Sequence, residues 1–227
     1  MKKIKKILSI ALAILISTTP ITYAQTFDFG LPEGIIMIED GQDKIYISDG
    51  NVKNIDTLSQ QMDSYMENLI RKEELKNTSG IITPQIVSTW YIDDSNTEII
   101  NHETATGTSK FDSTITNDNN KVTVSGYARA SYSGQYGHNP DSLELANAFT
   151  FTGLNVSVTL PGPSSSWSLV KNTLTYSKEY VDTSLVTHNY SGINADGFIT
   201  HVKQNVTAGI TVGTNFYTIM SSDGAYI

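Results

Sequence analysis

From Pro84 to the C-terminus, the chain is a succession of short segments rich in threonine, valine, isoleucine and aromatic residues, separated by glycine, proline and asparagine. The segment residues suit the pleated, half-buried surface of a β-strand, and the separators favour turns. About eight such segments predict an antiparallel β-sandwich or jelly-roll-like domain over residues 84–227. Because serine and threonine alternate with apolar residues, we expect each sheet to have one solvated face.

Two places in this region carry more specific expectations. Asn117–Asn120 separates two strand-like segments and predicts a four-residue hairpin loop. The alternation of apolar residues across 148–160 changes phase at Gly153, which predicts a β-bulge at that position.

Two of the four histidines would face each other under one interpretation of the turns. If Gly192 and Gly197 closed a hairpin, His188 would lie opposite His201. Two facing imidazoles can share a metal ion. Two polar side chains on a solvated face explain the pair more simply.

Residues 25–83 follow a different pattern. Two short apolar runs flank Asp40-Gly41 and predict a hairpin. Apolar residues then recur every three or four positions, which is typical of one stripe of an amphipathic helix. The stripe consists of Ile55, Leu58, Met62, Tyr65, Met66, Leu69 and Ile70. We therefore predict a small ββα module with one helix, packed against the β domain because an isolated helix of this length is marginal in water.

The N-terminus predicts export. Four lysines follow Met1, an apolar run covers residues 7–16, and Thr22 and Ala24 suit the two pockets of a signal peptidase. Residues 1–24 are therefore predicted to be a signal peptide, and the protein to be secreted. The apolar run is about half as long as a membrane span requires, so we expect no membrane span in the mature chain. The 25–83 module has a second interpretation, as a pro-segment that is cut away near residues 79–84.

Composition narrows the possible partners. Removal of residues 1–24, which contain four lysines and no acid, leaves 11 basic and 23 acidic side chains and a net charge of −12. This charge repels nucleic acids, so we expect no nucleic-acid partner. The chain contains no cysteine, which excludes disulfides and thiolate metal sites and is compatible with export from a bacterium.

One cluster of oxygen-bearing side chains suggests a cation. Asp94, Asn96 and Glu98 stand at alternate positions, and Asn117–Asn120 forms a second oxygen-rich segment. Carboxylate and amide oxygens are ligands that calcium prefers. Asp and Asn also favour turns for local reasons. We expect no cofactor other than calcium, with these residues as its candidate ligands.

A glycine-rich segment after residue 125 offers a candidate ligand site. It contains Tyr127, Arg129, Tyr132, Tyr136 and His138 and ends in an Asn-Pro-Asp sequence. Exposed aromatic and amide groups can stack on sugars or contact a protein. These five residues are our candidate ligand-binding residues. Tyrosines are also common on strands for packing reasons alone.

No catalytic motif is present. The chain lacks a Gly-x-Ser-x-Gly elbow and a His-Glu-x-x-His zinc motif. The sequence therefore predicts a secreted, non-enzymatic extracellular or surface-associated protein that binds carbohydrate or another protein. One alternative is a secreted toxin or pore former, since 171–190 alternates small polar with larger apolar residues. Another is a secreted hydrolase built from scattered histidines and acids.

Export makes a direct prediction about the mature protein. Cleavage after Ala24 leaves Gln25 as the N-terminal residue. Intact-mass measurement and N-terminal sequencing of protein recovered from the culture medium check this. Secreted protein that still begins at Met1 would refute it.

Overall fold

The computed structural model describes residues 30–50, 52–78, 87–100, 104–134, 137–162 and 166–227. Within these ranges lie one α-helix and ten strands. The helix is α1 (Ile55–Thr78), and the strands are β1 (Ile35–Asp40), β2 (Asp43–Ser48), β3 (Ser88–Ile100), β4 (Ala105–Asp118), β5 (Lys121–Gly134), β6 (Ser142–Thr159), β7 (Trp167–Val170), β8 (Thr173–Val181), β9 (Leu185–Val212) and β10 (Asn215–Tyr226). The predicted signal peptide and the predicted pro-segment cleavage region, 79–84, lie outside the described residues.

The strands are arranged around β9. The first half of β9 pairs with β5 on one edge and β2 on the other, and its second half pairs with β6 and β10. One group therefore runs β1-β2-β9-β5-β4-β3, and the other runs β10-β9-β6-β8-β7. All of these pairings are antiparallel, and buried residues of both groups share one hydrophobic core. The predicted mainly β, antiparallel sandwich with one helix is confirmed.

The hairpin that would have brought His188 opposite His201 does not form, because β9 continues through residues 192–197 as a single strand. Gly192 and Gly197 have φ values of +68° and +125°, so they bend the strand without reversing it. A Cβ atom at Gly197 would lie 2.5 Å from the Asn155 carbonyl oxygen, a close approach that only glycine permits. His188 and His201 consequently lie in different halves of β9 and do not face each other.

Two other local expectations concern turns and bulges. The register of β6 against β9 shifts between Thr152 and Gly153, which confirms the predicted bulge. The expected loop at 117–120 is shorter than predicted, because β4 continues to Asp118 and only Asn119 and Asn120 form the turn. Both have positive φ, as a two-residue hairpin of this kind requires, and asparagine tolerates that conformation.

The N-terminal elements belong to the same sheet system. The predicted hairpin is β1–β2, and β2 joins it to β9. Helix α1 begins after Asn54, whose side-chain oxygen accepts a hydrogen bond from the Thr57 N–H at 3.0 Å. No helix among the described residues has the length and apolarity needed to cross a bilayer.

Helix α1 packs on the outer face of the first group of strands. Met62 and Met66 are fully buried, while Tyr65 and Leu69 are only partly buried. The helix contacts a separate apolar cluster that includes Tyr46, Tyr127 and Leu185 from the sheet. The expected packing of the stripe against the β region is therefore confirmed at its centre and is looser at its later positions.

Substitution in the helix should reveal this packing. Met62→Ala is expected to lower the free energy of unfolding by about 2–5 kcal/mol, because it removes a fully buried side chain from a closed interface. Chemical denaturation measures the loss. The matched control is Gln61→Ala on the exposed side of the same turn, with an expected change within about 0.5 kcal/mol. Equal effects from the two variants would contradict the packing.

Candidate binding surface

Two of the predicted ligand-binding residues lie beneath α1. Tyr127 and Arg129 project from the outer face of β5, and both are almost completely buried. They converge on Asp63 of the helix, whose Oδ1 accepts hydrogen bonds from Arg129 Nη2 and, at 2.9 Å, from the Tyr127 hydroxyl. Lys110 Nζ lies 3.0 Å from Asp63 Oδ2. One helix carboxylate thus binds three donors on the sheet.

The electrostatics of this contact favour the ionised carboxylate. Burial alone would raise the pKa of Asp63, but Arg129 and Lys110 outweigh it and hold the pKa below its usual value. Arg129 also donates from Nη1 to the Ser59 carbonyl at 2.8 Å and from Nε to Thr187 at 3.3 Å. The hydrogen bonds that Arg129 donates to Asp63 and to the Ser59 carbonyl therefore anchor the helix to β5.

The other predicted ligand-binding residues lie elsewhere. Tyr132 is buried in the core at the end of β5, and His138 is exposed between β5 and β6. Tyr136 lies outside the described residues. The structure therefore joins Tyr127 to Arg129 and does not bring Tyr132 or His138 to them.

The candidate calcium ligands lie where β3 runs beside β10. Asp94 Oδ2 accepts the Ser222 N–H at 2.7 Å, and Asn96 donates to the Met220 carbonyl at 3.1 Å. Asn96 also donates to Glu98 at 3.2 Å. These side chains hold the open edge of β10 to β3. Among the described residues, no group of three or more His, Asp or Glu side chains has an arrangement that could hold a metal ion.

A buried polar cluster lies inside the sandwich and was not predicted. Asp43 and His188 are almost fully buried, with His188 Nε2 3.2 Å from Asp43 Oδ2. The same Asp43 oxygen accepts the Trp167 indole N–H at 2.6 Å. The Tyr176 ring stacks on the imidazole at 3.9 Å between centroids, and the Tyr190 ring meets it edge-on at 5.3 Å. His188 alternates along β9 in phase with Val186 and Tyr190, so its side chain lies on the same face of the sheet as theirs. That alternation is the sequence signal that could have predicted a buried His188.

This cluster continues as a hydrogen-bonded network. The Tyr190 hydroxyl lies 2.6 Å from Ser113 Oγ and accepts a hydrogen bond from Gln204 Nε2 at 2.8 Å. Gln204 also donates to Asn147 at 2.9 Å. Asp43, His188, Tyr190, Gln204 and Asn147 are all buried in the part of the chain that the structure describes. The described histidines do not converge, because His138 is on a loop and His201 is on an outer face.

The outer face of the second group of strands carries a row of exposed side chains. On β10, Phe216, Met220 and Tyr226 are 62%, 53% and 82% exposed. The Tyr226 ring packs against His201 of β9, with centroids 4.6 Å apart. Phe198 and Leu154, which are cross-strand partners on β9 and β6, extend the exposed apolar surface at that end. We call this set the β9–β10 face.

Glycines let these rings lie against the sheet. A Cβ atom at Gly209 would meet the Phe216 ring at 3.0 Å, and one at Gly224 would meet the His201 ring at 2.9 Å. An aromatic ring over a glycine on a neighbouring strand stabilises the sheet, which is one reason for this arrangement. Packing over a glycine does not explain the exposure of Tyr226 or Met220, whose side chains remain open to solvent.

The rest of the β9–β10 face is polar. The side chains between the rings lie in register across β9 and β6, and two of them are charged: Thr211, Thr207, Asn205 and Lys203 on β9, and Glu144, Ala146, Ala148 and Thr150 on β6. Phe216 and Tyr226 are ten residues apart on β10, which is about 33 Å along a strand. The face therefore presents a long row of apolar groups separated by hydroxyl, amide and charged groups.

A groove lies between the base of the β1–β2 hairpin and α1. It has a volume of about 710 Å³, with Leu58 and Tyr65 on the helix side and Glu33 and Asp49 on the hairpin side. No basic side chain is among its lining residues.

Comparisons with known proteins identify no family. No family model matches the chain, and no curated protein matches it. Among solved structures, it is similar to a chain in a structure described as the complete manganese lipoxygenase of Gaeumannomyces graminis with a partial zonadhesin of Komagataella pastoris. The identity is 9% over 54% of this chain and 62% of that chain, under two thirds of its length, and the TM-score is 0.27. A similarity this low carries no argument about fold or function.

The contact beneath α1 generates a stability prediction. Asp63→Asn should lower the free energy of unfolding by about 2–3 kcal/mol, because it leaves the buried Arg129 guanidinium without its counter-charge. The wild-type contribution is present above the unfolded pKa of Asp63, near pH 3.8, and is lost as the pH falls through its lower folded value. Denaturant titrations at pH 7 and pH 3 measure both effects.

The control for this variant is Glu67→Gln, which removes an exposed acid from the same helix. We expect a change within about 0.5 kcal/mol. If Asp63→Asn is no more destabilised than Glu67→Gln at pH 7, the carboxylate does not anchor the helix.

Proposed function

We propose that this protein is a secreted, non-enzymatic, extracellular β-sandwich protein that binds carbohydrate through the β9–β10 face. The observation that carries this proposal is the row of exposed aromatic side chains, with Phe216 and Tyr226 about 33 Å apart. Export is supported by the predicted signal peptide at residues 1–24.

The chemistry of the face suits an extended neutral polysaccharide. The apolar C–H faces of sugars stack on aromatic rings, and the hydroxyl groups around each sugar need hydrogen-bond partners. On this face, Tyr226 offers a ring, and Asn205 and Thr207, which pair with Ser222 and Met220, offer amide and hydroxyl groups farther along the same face. The net charge of −12 of the mature chain disfavours polyanionic glycans.

A protein ligand is the second candidate for the same face. Met220, Phe198 and Leu154 are exposed apolar groups of the kind that a protein partner covers, and methionine and aromatic residues are enriched at protein interfaces. The two candidates differ in which residues matter, because sugar stacking depends on rings and a protein contact also depends on the aliphatic groups.

Binding assays with aromatic variants test the proposal. We expect wild-type protein to bind at least one of cellulose, chitin, xylan or β-glucan in pull-down and affinity-gel measurements. Tyr226→Ala should weaken that binding about two- to tenfold, since one ring contact contributes about 0.5–1.5 kcal/mol. Met220→Ala should change it little if the ligand is a sugar chain.

The matched control is Tyr91→Ala, an exposed tyrosine on the outer face of β3. Both tyrosines are mostly solvated, so neither variant should change stability by more than about 0.5 kcal/mol. Failure to bind any of the polysaccharides, or equal weakening by Tyr91→Ala, contradicts the proposal.

A further inference from the structure

We propose that Asp43 and His188 form an acid-sensitive latch that holds the β1–β2 hairpin on the sandwich. The inference is independent of the proposed ligand. It concerns the buried polar cluster at the junction between the hairpin and the remaining strands.

The hairpin is attached to β9 by a short ladder. Residues 44–47 pair with 186–189, and β1 pairs only with β2 among the described residues. By comparison, β5 pairs with the same half of β9 along 121–131. His188 lies directly opposite Ile45, and Asp43 begins β2. The Asp43–His188 contact is therefore at the one ladder that joins the hairpin to β9.

The hairpin is also tied to β7 and β8 through two carboxylates. Asp43 Oδ2 accepts the Trp167 N–H, and Asp40 Oδ2 accepts a hydrogen bond from Ser166 at 2.9 Å. Lys178 Nζ lies 3.4 Å from the same Asp40 oxygen. Both of these contacts thus use acidic side chains of the hairpin. The Asp43 oxygen that accepts the Trp167 N–H is also the oxygen that lies nearest to His188.

The environment of His188 disfavours a charged ring. The side chain is completely buried, and neither ring nitrogen has a hydrogen-bond partner among the described residues. Asp43 is close enough for an ion pair, but the geometry at Nε2 is not that of a hydrogen bond. Burial lowers the pKa of His188 and outweighs the raising effect of Asp43 and Asp40. The folded state therefore holds a neutral imidazole at neutral pH.

The groups near the imidazole on neighbouring elements are three tyrosines and three charged side chains. From β8, burial raises the pKa of Tyr176 and raises that of Tyr180 to about 12. Burial also raises the pKa of Tyr190 on β9, so all three tyrosines are uncharged at neutral pH. The charged side chains are Asp40 on β1, Asp43 on β2 and Lys178 on β8, and the cross-strand neighbour from β5 is Ala128.

The direction of the pH effect follows from these contacts. An exposed histidine has a pKa of about 6.5, and the folded value is lower. The stabilisation of the closed hairpin is therefore complete above about pH 6.5 and is lost as the pH falls below it, because the open form takes up the proton. Each pH unit below that point favours the open form by up to about tenfold until the folded pKa is reached.

Hydrogen exchange of the intact mature protein tests the latch. Between pH 7 and pH 5, after correction for intrinsic rates, amides of β1 and β2 should lose protection by up to about tenfold per pH unit. Amides of β4 and β6 should keep theirs. In a Trp90→Phe background, Trp167 is the sole tryptophan, and its emission should shift to longer wavelength at pH 5 as the hairpin leaves it.

Matched histidine variants identify the titrating group. His188→Asn should give protection that no longer depends on pH in this range, whereas His138→Asn, an exposed control, should behave like wild type. If His188→Asn does not fold, NMR titration of the wild-type ring decides. A His188 ring that takes up its proton while β2 amides stay protected overturns the latch. Unchanged protection at pH 5, or an equal loss across all strands, does so as well.

Discussion

The continuity of β9 is the constraint on which the rest of the structure depends. Its 28 residues carry hydrogen-bonded partners on both edges, and those partners change from β5 and β2 to β6 and β10 along its length. The strand must therefore bend while it keeps pairing, which Gly192 and Gly197 allow through positive φ values. Breaking β9 into a hairpin at that point would separate the two groups of strands and divide their shared core.

That dependence explains what the sequence could and could not predict. Alternation, turn residues and the three-to-four spacing of apolar residues are local signals, and they predicted the mainly β, antiparallel class, the helix and the bulge at Gly153. A glycine with positive φ suits both a reversal and a bend, so local signals did not distinguish them at Gly192 and Gly197. The pairing of β9 with β5 and β6 decides between the two, and it joins residues distant in sequence.

The candidate sites show the same limit. Tyr127 and Arg129 were predicted to be ligand-binding residues from their glycine-rich segment, but the sequence did not show that α1 would cover them and supply Asp63. Asp94 and Asn96 have the chemistry of cation ligands and also that of strand-edge partners, and here they bond to backbone groups of β10. The β9–β10 face was missed because its rings come from two different strands, Phe198 and His201 from β9 and Phe216 and Tyr226 from β10.

The two proposals concern different halves of β9, which bears on how they interact. His188 is in the half that pairs with β2 and β5, and His201 is in the half that pairs with β6 and β10. If the β1–β2 hairpin separated from the sheet, the first half of β9 would still pair with β5, and its second half would still pair with β6 and β10. The β9–β10 face would then retain the strands that position its rings. Opening the latch should expose the Tyr46–Leu185 region beneath α1 without dismantling the proposed carbohydrate surface, so acid release and ligand binding are separable properties of one fold.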